Sequence, residues 1–321
     1  MRSQLQSTAT LRQAVRQTLA ARGLLEVVTP VTVIAPGGEP YLDALPVEFH
    51  LLGGSARPAH LRTSPEVWHK KLLAEGSGPI FEIAPCLRDG EGGPWHDLEF
   101  EMVEWYRPGE AMEALMEDLQ ALLDVCFSAM DRRPAPQISR HRVADLFEQH
   151  VGVVLDPEQA LPDFTAALDS VGIRCADDDD WDDAFFRAWL SRVEPQLASM
   201  GAVIVERYPA SQAAMARLCD DDDRFCHRFE LYVDGIELAN AFNELTDGPE
   251  QRRRFDAWQA QRRRLGRPDF RADEAFFAAV DRLPPTVGIA LGLDRLMALA
   301  MGAKDLSPVR PFRLTDLLEA R

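Results

Sequence analysis

The run FELYVDGIELANAFNELTD, from Phe229 to Asp247, constrains the fold more than any other stretch. Asp234-Gly235 stands between two half-apolar segments, and both residues tolerate the positive φ that a two-residue hairpin turn demands. With these two as the turn, Val233 faces Ile236, Tyr232 faces Glu237 and Glu230 faces Ala239. Glu230 and Glu237 then lie diagonally on one face, roughly 7 Å apart or less. Two carboxylates so placed suit a hard, oxygen-seeking cation such as Mg²⁺, which commonly arrives with phosphates. The same pattern describes two solvated glutamates on the outer face of a hairpin, and the stretch alone does not choose between them.

A second hairpin is predicted upstream. Ile80 to Arg88 and Glu99 to Tyr106 read as strands around the glycine-rich loop Asp89-Gly90-Glu91-Gly92-Gly93. In the later strand Phe100, Met102, Glu104 and Tyr106 share one face, while Glu99, Glu101, Val103 and Trp105 share the other. A carboxylate beside Phe100 and Met102 needs partners if that face is buried; the alternative is a solvent face. Thr63-Ser64-Pro65-Glu66 announces a helix by its hydroxyl cap, early proline and first-turn glutamate. Thr286 to Gly292 reads as a buried strand feeding a helix near Leu293, with Asp294 and Arg295 in its first turn. An arginine beside a helix N-terminus makes a good anion site.

The remaining segments are plainer. Residues 8–22 predict an amphipathic helix on Leu11, Val15 and Leu19; 24–30 and 45–52 predict strands. Residues 109–130 carry the clearest helical stripe, read as core. Residues 136–200 read as short helices with an acidic run around Trp181, a peripheral insertion assigned no chemistry. A strand at 202–206 precedes the organising hairpin. A helix at 249–266 follows it, its arginines read as a solvated face rather than a docking patch. Neither a GxxxxGK(S/T) loop nor a GxGxxG after a strand occurs, so the parallel-sheet nucleotide folds are not expected. Hairpins packed with helices make an α+β pattern.

With 321 residues, 46% of them hydrophobic, the chain can bury a large core, and a net charge of −17 argues against a general nucleic-acid binder. Five cysteines without a CxxC pair form a poor disulfide framework. A polar N-terminus and the lack of a long apolar run predict a cytoplasmic protein with no membrane partner.

Together these segments resemble the class II aminoacyl-tRNA synthetases. A helix followed by LLEVVTP, then FEIAPCLRDGE with WHDLEFEMVEWY, then GIALGLDRL match the family's three signature motifs in order. TSPE and GIELANAFNELTD are similar to the lysyl branch, and most of all to its free-standing paralogues. The resemblance covers residues 8 to 302 and is weakest across 136–200. It implies an α+β fold, a class II synthetase-like antiparallel β-sheet flanked by helices. One catalytic domain over 1–321 is expected, with the insertion at 136–200 and no anticodon-binding domain.

The site follows from the resemblance residue by residue. Arg88 and Arg295 are implied as the catalytic arginines, on the ATP α- and γ-phosphates respectively. His96 is implied near the triphosphate, Phe100 beneath adenine, and Glu230 and Glu237 on Mg²⁺. Ser64, Glu66, Glu104, Tyr106, Asn240, Glu244 and Ala290 are implied around the amino acid. A carboxylate-rich pocket fits a substrate with two amines. Strict alternation puts Asn240 and Glu244 opposite the Glu237 face, so a bulge or strand end must re-aim them. Gly90 stands where the family has an adenine-reading glutamate, and Glu91, one residue on, is the candidate substitute. Ala290 stands where lysyl-tRNA synthetases have glycine.

The implied activity is ATP-dependent activation of (R)-β-lysine as an adenylate, followed by transfer to a lysine of elongation factor P. Acyl transfer by a homodimer is expected, with tRNA not the acceptor. The rivals are activation of α-lysine or a relative for another acceptor, and a non-catalytic synthetase-like binding protein.

Overall fold

The computed structural model describes residues 1–319, so the last two residues of the predicted 1–321 domain lie outside it. The chain forms two compact units, Met1–Ala135 with Glu244–Arg321, and Pro136–Asn243.

Unit one opens with α1 (Arg2–Ala21), on which Leu11, Val15 and Leu19 are fully buried as one helical stripe. β1 (Leu25–Glu26) is much shorter than the strand predicted over 24–30. Thr29 turns its N–H and hydroxyl to the Glu82 carboxylate (3.3 and 2.6 Å), and Pro30 has no N–H, so the ladder ends early. β2 (Thr32–Val33), β3 (Pro46–His50) and β4 (Ala56–Leu61) form a small antiparallel sheet in the order β2-β4-β3. Only β3 carries a strand signal, since ARPAHL in β4 has a proline and no alternation.

α2 (Glu66–Ala74) starts where TSPE predicts, with the Ser64 hydroxyl accepting from the Glu66 N–H at 3.0 Å. β5 (Ile80–Leu87) and β6 (Glu99–Pro108) form the expected hairpin, pairing Ile80 with Tyr106 and Glu82 with Glu104. α3 (Met112–Met130) buries Leu115, Leu119, Leu122, Leu123, Cys126 and Phe127, the predicted core stripe, and packs against α1.

In unit two, β7 (Ile138–Arg142) leads into α4 (Val143–Val151), α5 (Leu161–Ser170), α6 (Trp181–Ala188) and α7 (Glu194–Leu197). The acidic run serves the backbone: Asp180 and Asp183 make a capping box at the start of α6, and Asp179 pairs with Arg187 at 2.7 Å. β8 (Ala202–Glu206), β9 (Arg228–Val233) and β10 (Ile236–Asn243) complete a sheet section ordered β10-β9-β8-β7, antiparallel except for the parallel pair β7-β8. Phe147, Phe164, Phe185 and Trp189 pack on Val203 and Val205 beneath it.

The hairpin turn lies at Asp234-Gly235, both at positive φ (52° and 81°), with Val233 opposite Ile236 and Tyr232 opposite Glu237, as predicted. The next pair differs. A β-bulge between Glu237 and Ala239 sets Leu231 opposite Ala239 and Glu230 opposite Asn240, so the expected Glu230–Ala239 pairing is corrected by one residue. The extra residue brings Asn240 to the face that Glu230 and Glu237 share.

The chain then returns to unit one as α8 (Gly248–Arg264), α9 (Glu274–Val280), β11 (Thr286–Gly292), α10 (Leu293–Ala300) and α11 (Leu314–Glu319). β11 pairs antiparallel with β6, giving the order β1-β5-β6-β11, with β1 parallel to β5. Five arginines of α8 are paired with carboxylates. Arg253 and Arg254 bind Glu250, Arg252 binds Asp256 and Glu274, Arg263 binds Asp269, and Arg262 is buried on Asp43. No helix among the described residues is long and apolar enough to cross a membrane.

Candidate active site

One end of β5, the loop after it and the first turn of α10 gather the predicted phosphate and base groups of unit one. The Arg88 guanidinium lies over the Phe100 ring at 5.1 Å and reaches Glu91 at 3.4 Å. Arg295 donates to the Trp95 carbonyl (3.1 Å) and to His96 Nε2 (2.5 Å). Crowding by the surrounding groups and the adjacent Arg295 hold the His96 imidazole below its ordinary pKa, with Arg88 and Glu91 also within electrostatic range. A neutral His96 can accept from Arg295, so the loop is tied to α10 without opposing charges. Asp294, beside Arg295, accepts from the Glu101 N–H at 2.9 Å and anchors α10 to β6; burial pushes its carboxyl up to about 6.

The predicted amino-acid residues of unit one form a buried polar cage. β6 presents Glu104 and Tyr106 on one face, and the Tyr106 hydroxyl and the Ser64 hydroxyl donate to the two Glu104 oxygens at 2.6 and 2.7 Å. Glu244 follows β10 and is fixed by its own N–H, which donates to the Thr286 carbonyl at 2.9 Å. Asp247 then caps α8 by accepting from the Glu250 N–H at 2.8 Å, so the helix start holds the preceding loop. Gly288 of β11 makes room. A Cβ there would lie 2.3 Å from Glu244 Oε1 and 2.4 Å from Tyr106 Cε1.

Lys70 of α2 closes the cage from behind. Its ammonium, 1% exposed, lies 2.6 Å from Glu66 and 2.8 Å from Glu244. Burial opposes its charge, yet Glu244 and Glu66 together raise its pKa. Glu244 is driven the other way: burial pushes its carboxyl up to about 8, against the pull of Lys70 and with the push of Glu66 and Glu104. The two directions agree physically, because one cation has two carboxylates while each carboxylate has half a cation. Behind Glu104, His69 lies 2.9 Å from Glu82 and 3.5 Å from Glu104. Glu82 in turn takes Arg62 at 2.9 Å. Burial opposes protonation of His69, but Glu104 and Glu82 prevail and raise its pKa.

Ala290 is opposite Glu104 in the β6–β11 ladder, and its methyl packs against Ala84, Cys86 and Met102 with Phe100 alongside. Burial pushes the Cys86 thiol up to about 12, which makes it a packing residue at neutral pH.

In unit two the Glu230 carboxylate is heavily donated to. Arg228 gives a bond of 2.5 Å to one oxygen, and Tyr208 and Tyr232 give 2.5 and 2.6 Å to the other. Burial and Glu230 raise both phenols well above their ordinary pKa, so both remain donors. Arg228 also donates to Asn240 Oδ1 at 3.1 Å, which binds the bulged strand to the Glu230 cluster. Glu237, on the same face, is exposed.

Predicted residues thus fall into three groups: Arg88, Glu91, His96, Phe100 and Arg295; Ser64, Glu66, Glu104, Tyr106 and Glu244; and Glu230, Glu237 and Asn240. Sequence reasoning missed Lys70, His69, Gly288, Arg228 and Tyr208. Lys70 had a signal, the four-residue spacing from Glu66 on a predicted helix. Among the described residues no three His, Cys, Asp or Glu side chains cluster as a resident metal site. Glu230 and Glu237 do fit a loosely held Mg²⁺. A carboxylate has about four acceptor directions, three are used on Glu230, and Mg²⁺ keeps several waters and phosphate oxygens.

Known proteins share this arrangement's sequence. The model for tRNA synthetases class II (D, K and N) matches residues 1–316. A Haemophilus influenzae protein named elongation factor P–(R)-beta-lysine ligase is 38% identical over 305 residues, 94% of this chain and 92% of the relative. Proteins of the same name from Histophilus somni and Mannheimia succiniciproducens are each 37% identical, over 94% and 96% of this chain and 91% and 94% of theirs. With a family match over nearly its whole length and relatives this similar, the chain belongs to the class II tRNA synthetases of the D, K and N group.

Proposed function

We propose that this enzyme activates (R)-β-lysine with ATP and passes the acyl group to a lysine side chain of elongation factor P. The single observation that carries the reading is the cage of Glu66, Glu104 and Glu244 holding only one ammonium, that of Lys70. Buried carboxylates seek cations, and a diamino acid brings two. The shared name of relatives covering almost all of this chain selects the β-isomer and the protein acceptor.

In the first step the substrate carboxylate attacks the α-phosphorus of ATP and pyrophosphate leaves. In the second the acceptor amine attacks the acyl carbon and AMP leaves. Arg88 neutralises the charge that develops on the α-phosphoryl oxygens, and Arg295, held by His96, binds the γ-phosphate. Phe100 supplies the stacking surface for adenine, and Glu91 reads its edge in place of the residue at Gly90. Glu230 and Glu237 would hold Mg²⁺, which would supply further charge neutralisation. Ser64 and Tyr106 orient Glu104, and Asn240 is kept in place by Arg228. Catalysis is then positioning plus electrostatic stabilisation.

The working form is a homodimer through α1 and the segment after it, where Leu25, Val28 and Ile34 are 60%, 90% and 64% exposed. Its acceptor, a translation factor rather than tRNA, implies the cytoplasm. ATP–pyrophosphate exchange with (R)-β-lysine, α-lysine and other amino acids, followed by label transfer to elongation factor P, tests the reading. Preferred exchange with (R)-β-lysine and a labelled factor are expected; exchange with a different amino acid alone, or none, overturns it.

A further inference from the structure

The cage around the substrate amines contains a cation of its own. Lys70 leaves α2 one turn after Glu66, and its ammonium bridges Glu66 and Glu244 at 2.6 and 2.8 Å while 1% exposed. Lys71, its neighbour in sequence, points elsewhere and pairs with Asp273 at 2.6 Å, so the inward lysine is selected by helix phase. Burying an ammonium this fully forfeits its hydration, which its partners must offset. A purely structural role would be filled as well by a packed apolar side chain, since exchanging buried ion pairs for apolar residues is often neutral or favourable.

We propose that Lys70 is a positioning and specificity residue: it ties Glu66 to Glu244 and sets the charge of the amine cage. Once an arriving amine displaces the proton that burial keeps on Glu244, three carboxylates, Glu66, Glu104 and Glu244, less one ammonium leave two negative charges. That is equal and opposite to the two ammonium groups of a diamino acid whose carboxylate is consumed in the adenylate. Without Lys70 the cage loses the fixed spacing of Glu66 and Glu244, and Glu244 holds its proton more tightly against an incoming amine. A monoamino acid leaves one negative charge buried and unpaired, so the same device rejects it. The proposal rests on the diamino-acid reading of this site.

The titrating groups facing Lys70 are Glu66 of its own helix, Glu244 after β10, and Glu104 and Tyr106 of β6. His69, Glu82 and Arg62 form the layer behind Glu104. Removing the lysine charge raises the pKa of Glu244 further, so amine binding becomes tied to proton release at higher pH.

The test uses the full-length protein, with Lys70→Gln and Glu66→Gln variants, in two assays. Calorimetric binding of (R)-β-lysine and of 1,4-diaminopentane, which keeps the spacing of its two amines, across pH 6 to 10, reads the cage without chemistry. ATP–pyrophosphate exchange reads kcat and KM. In Lys70→Gln the Kd and KM for diamines rise about 10- to 100-fold with a smaller change in kcat, and the pH at which binding levels off moves upward. In Glu66→Gln that pH moves downward, because Lys70 then serves Glu244 alone; this keeps the proposal testable if Lys70→Gln does not fold. Unchanged Kd, or a Kd raised equally at every pH, overturns the proposal. Diamine binding with these pH shifts but no exchange would sink the proposed function and leave the role of Lys70 standing. No diamine binding by the wild type sinks both.

Discussion

Glu230 in unit two accepts from three donors, Arg228, Tyr208 and Tyr232, whereas Glu244 in unit one shares a single ammonium with Glu66. Both carboxylates are buried, at 7% and 2% exposed. The donors of Glu230 come from its own sheet and the chain beside it, and they are in excess. Such an acid is locked in one orientation and keeps one acceptor direction for a guest. Glu244 is short of positive charge, and burial holds its proton up to about 8. A locked acid aims; an undersupplied acid recruits. The contrast fits the proposed roles, Glu230 holding geometry around phosphates and Glu244 capturing an amine.

The comparison breaks most visibly at the hairpin. Glu230→Gln and Glu237→Gln should each lower the exchange rate by about 10²- to 10³-fold, the loss of a charge-stabilising group in the transition state. The fold should remain, since Tyr208 and Tyr232 can still donate to an amide oxygen. Near-normal exchange in both variants would remove the hairpin from the chemistry.

Gly288→Ala attacks the other acid. The added methyl would meet Glu244 Oε1 and Tyr106, so one of them must move. KM for the amino acid should rise about 10- to 100-fold with a stability loss of about 1–3 kcal/mol, the usual range for overpacking. An unchanged KM would show that Glu244 does not touch the substrate.

The third prediction concerns pH. The folded-state pKa of Glu244 is raised, from 4.5 to about 8. Its contribution to stability is therefore fully present below pH 4.5 and is lost as pH rises through 8, because the folded state binds the proton more tightly than the unfolded one. The wild type should lose on the order of 5 kcal/mol across that window from this group. Glu244→Gln should lose correspondingly less. Urea melts of both proteins from pH 5 to 9 check it, and parallel pH profiles would show that Glu244 is ionised throughout.

The smallest effect belongs to Ala290→Gly. The methyl packs among Ala84, Cys86 and Met102, so its removal should cost about 0.5–1 kcal/mol. Ala290 also lies on the Glu104 face, and exchange with α-lysine should rise relative to (R)-β-lysine by about tenfold or less. Equal proportional changes with both substrates would leave the residue a packing role alone.

Local chemistry in the sequence was enough to locate the turns and the strands that carry the site. Asp234-Gly235 determines a hairpin by its φ requirements, TSPE begins α2, and GIALG precedes α10. What stayed hidden depended on three-dimensional partners. β1 ends early because Thr29 bonds a side chain, Glu82, that lies fifty-three positions later. The bulge after Glu237 has no glycine to announce it; the resemblance asked for a bulge or strand end near Asn240 but not for its position. Lys70 and Lys71 look interchangeable as text; only the packing of α2 turns one inward. Nothing in the sequence of α2 singles out His69, which the fold sets between Glu82 and Glu104.

Unit one is built from both ends of the chain, and this has a consequence for its birth on the ribosome. β6 is finished at Pro108, but its partner β11 does not begin until Thr286. At about 5–20 residues per second, synthesis leaves that strand edge without its neighbour for roughly ten to thirty seconds. The intervening unit has its own aromatic core and every strand it needs by Asn243. It can close early, while Glu104 and Tyr106 wait in a half-made layer for Glu244 and Gly288. The nascent chain is therefore most exposed to mispairing along β6, and chaperone capture or limited proteolysis of stalled chains should find that strand first.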